Sequence, residues 1–141
     1  MLKFLYMSHS NILIVGGGCA GIAVASRINN LKSDLSISII EPSEKSLYQA
    51  AWTLVGAGAY DVGNTIKPMS EVMPKYVNWI KSYAKTFSPE QNLVKTSDGD
   101  YTYDYLVVCP GLKLNFNGIE GLTESLGKNN VCTNYEADMA E

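Results

Sequence analysis

With 141 residues, the chain has enough material for one ordinary domain with its own core. Its 46% hydrophobic and 18% charged content excludes a disordered protein, and no apolar run reaches the roughly 20 residues of a bilayer-spanning helix. A net charge of -3 without a basic stripe argues against a nucleic-acid partner.

Residues 1–10 read as a short leading tail. It holds one Lys and no Arg, so it is a poor targeting peptide, and Met7 offers a second start. His9 falls in this tail and is read as inert. The apolar run Asn11–Val15 reads as a buried parallel strand. It feeds directly into Gly16-Gly17-Gly18-Cys19-Ala20-Gly21, a Gly-x-Gly-x-x-Gly turn. A helix is expected over 19–30, with Ile22, Val24, Ala25 and Ile28 facing the sheet. A second strand is expected over 35–40, followed by Glu41.

This is the pattern of a dinucleotide-binding βαβ unit. Gly16 permits the tight turn, Gly18 lets a pyrophosphate approach the backbone, and Gly21 lets helix and strand pack closely. The N–H groups opening the helix at Cys19, Ala20 and Gly21 attract phosphate. Glu41 can accept hydrogen bonds from ribose hydroxyls, and its charge disfavours the extra phosphate of NADP.

Beyond Pro42 the chain is polar, then dense and mixed from Leu47 to Val55, then small over Gly56–Ala59. Tyr48 and Trp52 are equally readable as core aromatics, and Gly56–Ala59 as close helix packing. A short helix is expected between Pro68 and Pro74. Strands are expected over 82–87 and 91–96, with a hairpin turn at Ser97-Asp98-Gly99-Asp100 and a return over 101–105. Leu106–Cys109 reads as a buried strand broken at Pro110-Gly111. Residues 112–130 are loop-rich, 131–133 a further strand start, and 135–141 the opening of a helix. Because that helix has no terminator, the chain is expected to be the N-terminal piece of a longer protein.

Cys19, Cys109 and Cys132 are odd in number and far apart, so neither a zinc site nor a disulfide framework is indicated, which favours a reducing compartment. The expected fold class is α/β: a Rossmann-like FAD/NAD(P)-binding fold with a parallel sheet and a β-hairpin insertion, incomplete at the C-terminus. Residues 11–141 are expected to form part of an FAD-binding domain.

The run from Glu41-Pro42-Ser43-Glu44 to Tyr48-Gln49-Ala50-Ala51-Trp52-Thr53-Leu54-Val55-Gly56-Ala57-Gly58 resembles the mitochondrial type of sulfide:quinone oxidoreductase. The resemblance continues through Pro74 and Trp79-Ile80-Lys81 to Leu106–Gly111 and Gly121-Leu122. It implies a flavoprotein of two dinucleotide-binding folds, associated with the mitochondrial inner membrane through its C-terminal part. The family oxidises hydrogen sulfide with a redox-active cysteine pair, hands sulfane sulfur to an acceptor, and passes electrons through FAD to ubiquinone.

Carried over by position, Gly16, Gly18, Cys19, Ala20 and Gly21 hold the pyrophosphate and Glu41 the adenosine ribose. Gln49 contacts the cofactor, and Ala84 meets the adenine edge through its backbone. Gly111 matches the glycine that ends a strand beside the flavin nucleotide, although Cys109-Pro110 departs from the family's Ala-Thr-like residues there. The cysteine pair is expected beyond Glu141, which makes these residues catalytically inactive by themselves. Cys109 is read as a packed core thiol and Cys19 as shielded by pyrophosphate. Cys132 is read as structural, with a secondary redox or persulfide role as the alternative. Two other readings stay open: a different two-dinucleotide-domain flavoenzyme such as a type II NADH dehydrogenase, and a non-catalytic nucleotide-binding module.

Overall fold

The apolar run at Ile12–Val15 is buried on both faces, and a sheet is built outward from it. The computed structural model describes residues 6–139. The first half of the expected tail and the last two residues of the expected final helix lie outside the described residues.

In chain order the elements are β1 (Tyr6–Val15), α1 (Cys19–Leu31), β2 (Ile37–Ile40), β3 (Lys45–Leu47), α2 (Trp52–Gly56) and β4 (Ile66–Pro68). There follow α3 (Met69–Val72), β5 (Val77–Ile80), β6 (Ala84–Ser88), β7 (Leu93–Thr96), β8 (Gly99–Val108) and α4 (Leu122–Ser125). Two compact units emerge: Met1–Glu44 with Met69–Gly111, and Lys45–Pro68 with Leu112–Glu141.

The first unit is a six-stranded sheet in the order β5-β2-β1-β8-β7-β6. The four strands β5, β2, β1 and β8 run parallel, while β7 and β6 add antiparallel as the expected hairpin insertion. Alternate residues of β1 serve opposite faces. Ile12 and Ile14 join Ala25 of α1, Ile37, Ile39, Met69 and Met73. Leu13 and Val15 join Ile40, Ile80, Val94, Tyr101 and Tyr103. On one face α1 and α3 supply part of the core, and on the other Leu13 and Val15 pack with side chains of β2, β5, β7 and β8. This is the Rossmann-like α/β fold that the sequence predicts.

In the second unit, β3 pairs antiparallel with β4. Trp52 and Val55 form its buried centre, with Val62 and Ala137 packed against them. The Trp52 indole N–H donates to Thr65 Oγ1 at 3.0 Å, and that hydroxyl donates to the Val62 carbonyl at 2.6 Å. Trp52 is therefore core, whereas Tyr48 is exposed.

Several boundaries differ from expectation. β1 begins at Tyr6 rather than Asn11, because residues 6–10 pair in register with residues 99–103 of β8. His9 thus lies in a strand, with Nδ1 3.0 Å from Thr102 Oγ1 and Nε2 3.5 Å from Asp104. The return strand and the strand expected at 106–109 are one ten-residue strand, Gly99–Val108, and its last part is not buried as expected: Leu106 and Val107 are half-buried and Val108 is exposed. The helix expected after Pro68 spans four residues, and Ile66–Pro68 ahead of it is a strand. Residues 131–133 contribute only a bridge from Val131 to Lys128. Around 137–139 the described backbone is a single 3-10 turn.

Candidate dinucleotide site

The turn between β1 and α1 is held by its neighbours. Gly16 has φ +104, a conformation that side-chain-bearing residues rarely adopt, and a methyl there would overlap the Cys109 carbonyl oxygen. Its N–H bonds to the Ile40 carbonyl at 2.9 Å, and the Cys109 N–H bonds to the Val15 carbonyl at 2.8 Å. The ends of β1, β2 and β8 therefore meet at this point. A methyl on Gly21 would overlap the Gly16 carbonyl oxygen, which is the close strand–helix approach expected of that position. Gly18 differs: nothing lies within 4 Å of a methyl placed on it. Its side of the turn is open.

The first bond inside α1 runs from the Ile22 N–H to the Gly18 carbonyl at 3.1 Å. The N–H groups of Cys19, Ala20 and Gly21 precede it and have no place in the helix ladder. The first turn of α1 carries no acid, and no side chain caps it among the described residues. The turn thus presents donors and the positive end of a 13-residue helix dipole to an anion.

Glu41 follows the last residue of β2 and is half-buried. One carboxylate oxygen accepts from the Gly17 N–H at 2.8 Å, the other from the Ser43 N–H at 2.7 Å. An ionised carboxylate has about four acceptor directions, more than these two N–H groups fill. A methyl on Gly17 would stand 2.8 Å from both Cβ and Cγ of Glu41, so that position also depends on glycine.

The other predicted residues distribute as follows. Gly111 has φ +82 just past β8, with open space where a side chain would be. It comes directly after Pro110, whose Cα would stand 3.1 Å from a methyl on Gly16. Ala84 opens β6 and packs against the cluster that includes Ile80 and Val94. Ser82, two residues earlier, is buried, and its hydroxyl has no partner among the described residues. It lines a cavity of about 340 Å³ together with Asn78, Trp79 and Lys81. Gln49 belongs to the second unit, where its amide donates to the Asn134 carbonyl at 2.9 Å. The structure thus brings Gly16, Gly18, Cys19, Ala20, Gly21, Glu41 and Gly111 together at the strand ends, with Ala84 in the same unit.

Cys19 and Cys132 are exposed. Cys109 is half-buried, its sulfur lies 3.9 Å from the Gly16 carbonyl oxygen, and burial pushes its thiol pKa up, against ionisation. Gly17, Ser43 and Trp79, whose indole N–H donates to the Glu41 carbonyl at 2.8 Å, are the contacts of Glu41 that sequence reasoning misses. Gly17 is invisible because it is not one of the three fingerprint glycines. Ser43 acts only through its backbone. Trp79 carries one sequence signal, its place two residues before a break in apolar character.

The sequence model of the pyridine nucleotide-disulphide oxidoreductase family matches residues 10–140. A Dictyostelium discoideum protein named mitochondrial sulfide:quinone oxidoreductase is 45% identical over 134 residues, covering 94% of this chain and 30% of the relative. Its mouse namesake is 33% identical over 135 residues, covering 95% and 30%. The crystal structure of the sulfide:quinone oxidoreductase from Aquifex aeolicus superposes with a TM-score of 0.74 at 30% identity, covering 94% of this chain and 30% of that one. The resemblance read from Glu41–Gly58 is therefore matched across most of the chain. The chain spans about a third of the length of these relatives.

Proposed function

This chain belongs to the pyridine nucleotide-disulphide oxidoreductase family, and on that premise we propose that it is the FAD-binding N-terminal part of a mitochondrial, inner-membrane-associated sulfide:quinone oxidoreductase. Similarity at 45% identity over nearly the whole chain supports this reading. The family depends on FAD, and the open turn, the N–H groups that open the helix and the carboxylate of Glu41 at the end of β2 suit a dinucleotide.

In this reading the backbone N–H groups of Cys19, Ala20 and Gly21 bind the pyrophosphate, which approaches over Gly18. Glu41 accepts from the adenosine ribose and repels a further phosphate. The backbone of Ala84 takes the adenine edge, Gly111 ends its strand beside the flavin nucleotide, and Gln49 is a further cofactor contact. Residues 11–141 belong to the FAD-binding domain. When bound, FAD supplies the two-electron chemistry. In the whole protein, hydrogen sulfide is oxidised at a cysteine pair outside these residues, ubiquinone receives the electrons, a small acceptor takes the sulfur, and a C-terminal part meets the membrane. Cys19, Cys109 and Cys132 form no such pair, so these 141 residues alone bind nucleotide without turning over sulfide.

The test is quinone reduction by the full-length flavoprotein. Sulfide is expected to bleach the flavin and reduce a soluble ubiquinone, and NADH to do neither. Reduction driven by NADH alone moves the assignment to a type II NADH dehydrogenase. Nucleotide retained without either reaction leaves a binding module.

A further inference from the structure

Neighbouring parallel strands exchange evenly spaced N–H to C=O bonds along their ladder. Where β2 and β5 end, the Glu41 N–H still reaches the Ile80 carbonyl at 3.0 Å. The next bond of a continuing ladder would run from the Ser82 N–H to the Glu41 carbonyl. It is not formed. The Ser82 N–H turns back to the Ile80 carbonyl at 2.9 Å, and the chain leaves β5 for β6. The Glu41 carbonyl accepts instead from the indole N–H of Trp79 at 2.8 Å. A side chain thus supplies the bond that the backbone gives up.

The ring is itself held. Trp79 packs against the cluster of Ile12, Ile14 and Ile39. Lys81 Nζ sits 4.4 Å from the ring centroid and pairs with Glu44 at 3.0 Å. Glu41 is therefore fixed at both ends: its carboxylate by Gly17 and Ser43, its peptide by Ile80 and Trp79. An acceptor held this way loses little freedom when a ribose arrives.

We infer that Trp79 is a positioning residue of the nucleotide site, replacing the missing ladder bond so that Glu41 is pre-set to receive ribose hydroxyls where the strand must end. The inference rests on the reading of Glu41 as the ribose acceptor. The indole acts through Glu41.

The test is calorimetric titration of the flavin-stripped full chain with ADP and with 2′-deoxy-ADP. The unaltered protein is expected to prefer ADP. Trp79→Phe removes the N–H and keeps an aromatic ring. It is expected to lower that preference roughly three- to tenfold, the worth of one hydrogen bond, and to change 2′-deoxy-ADP binding much less. Equal weakening of both ligands, or an unchanged ratio, overturns the inference and shows a merely structural tryptophan. A parent protein with no preference for ADP overturns the ribose reading of Glu41, and the inference falls with it. If the Phe variant does not fold, β-(3-benzothienyl)alanine at position 79 removes the N–H alone and is judged by the same ratio.

Discussion

At Gly18 and Gly21 the same added methyl group meets different surroundings. Gly21 faces the Gly16 carbonyl and Ile14, whereas Gly18 faces open space and has φ -74, which alanine adopts freely. Gly18→Ala is therefore expected to leave the melting temperature of the nucleotide-free protein unchanged and to weaken ADP binding at least tenfold by blocking close approach. Gly21→Ala is expected to lower both, the melting temperature because the helix must shift off the strand. Thermal melts with and without ADP separate the two. Equal loss of melting temperature in both variants would mean that Gly18 is not an approach face. The acid at position 41 was legible from its spacing after the glycines. What holds it was not: the Gly17 and Ser43 donors are backbone atoms, and the Trp79 bond depends on how one ladder ends. Gln49 was legible as a polar residue in an aromatic run, but its link to Asn134, 85 positions away, is a matter of tertiary placement.

Among the elements, β1, α1 and β2 were read closely because continuous apolar runs and a glycine turn mark them. Ser8 and Ser10 break the apolar character of the first half of β1, so it is not legible as a strand. It is a strand because β8 satisfies its backbone and because Ser10 finds a partner. The Ser10 and Ser38 hydroxyls lie 2.6 Å apart and buried, and Asn78 donates to Ser38 at 3.2 Å. Ser38→Ala leaves the Ser10 hydroxyl buried without that partner and is expected to cost about 1–3 kcal/mol. Adding Ser10→Ala should cost much less than the sum of the single changes, because the second loss removes an orphaned group. Denaturant unfolding of the three variants measures this, and strict additivity would mean that the pair contributes nothing as a pair. The short strands at 45–47 and 66–68 were not legible, since three residues carry no periodicity to read.

Over the whole molecule, the parallel sheet was legible as a class, while the division into two units was not, because the second unit is assembled from two separate stretches. One edge of the sheet matters for the chain in isolation. β7 pairs with β8 only from Asp100 to Thr102, with one further bond from the Tyr103 N–H to Asn92. From Asp104 to Val108 no strand pairs with that side of β8 among the described residues, and Tyr105 and Val108 are exposed there. Exposed apolar edges of this kind recruit other strands. The 141-residue chain alone is expected to associate with rising concentration, and Tyr105→Lys to reduce this, as followed by light scattering. A monodisperse parent chain would show that the edge is already protected.

The pairing of β1 with β8 also sets a timetable. Tyr6 lies opposite Gly99, and His9 opposite Thr102, a separation of 93 positions. On a ribosome adding about 5–20 residues per second, the first strand waits roughly 5–20 s for its second neighbour. During that interval β2 is available on one side only, and the apolar stretch Ile12–Val15 remains open on the other. The centre of the sheet is thus the first part made and among the last completed, which is where a chaperone would have most to cover.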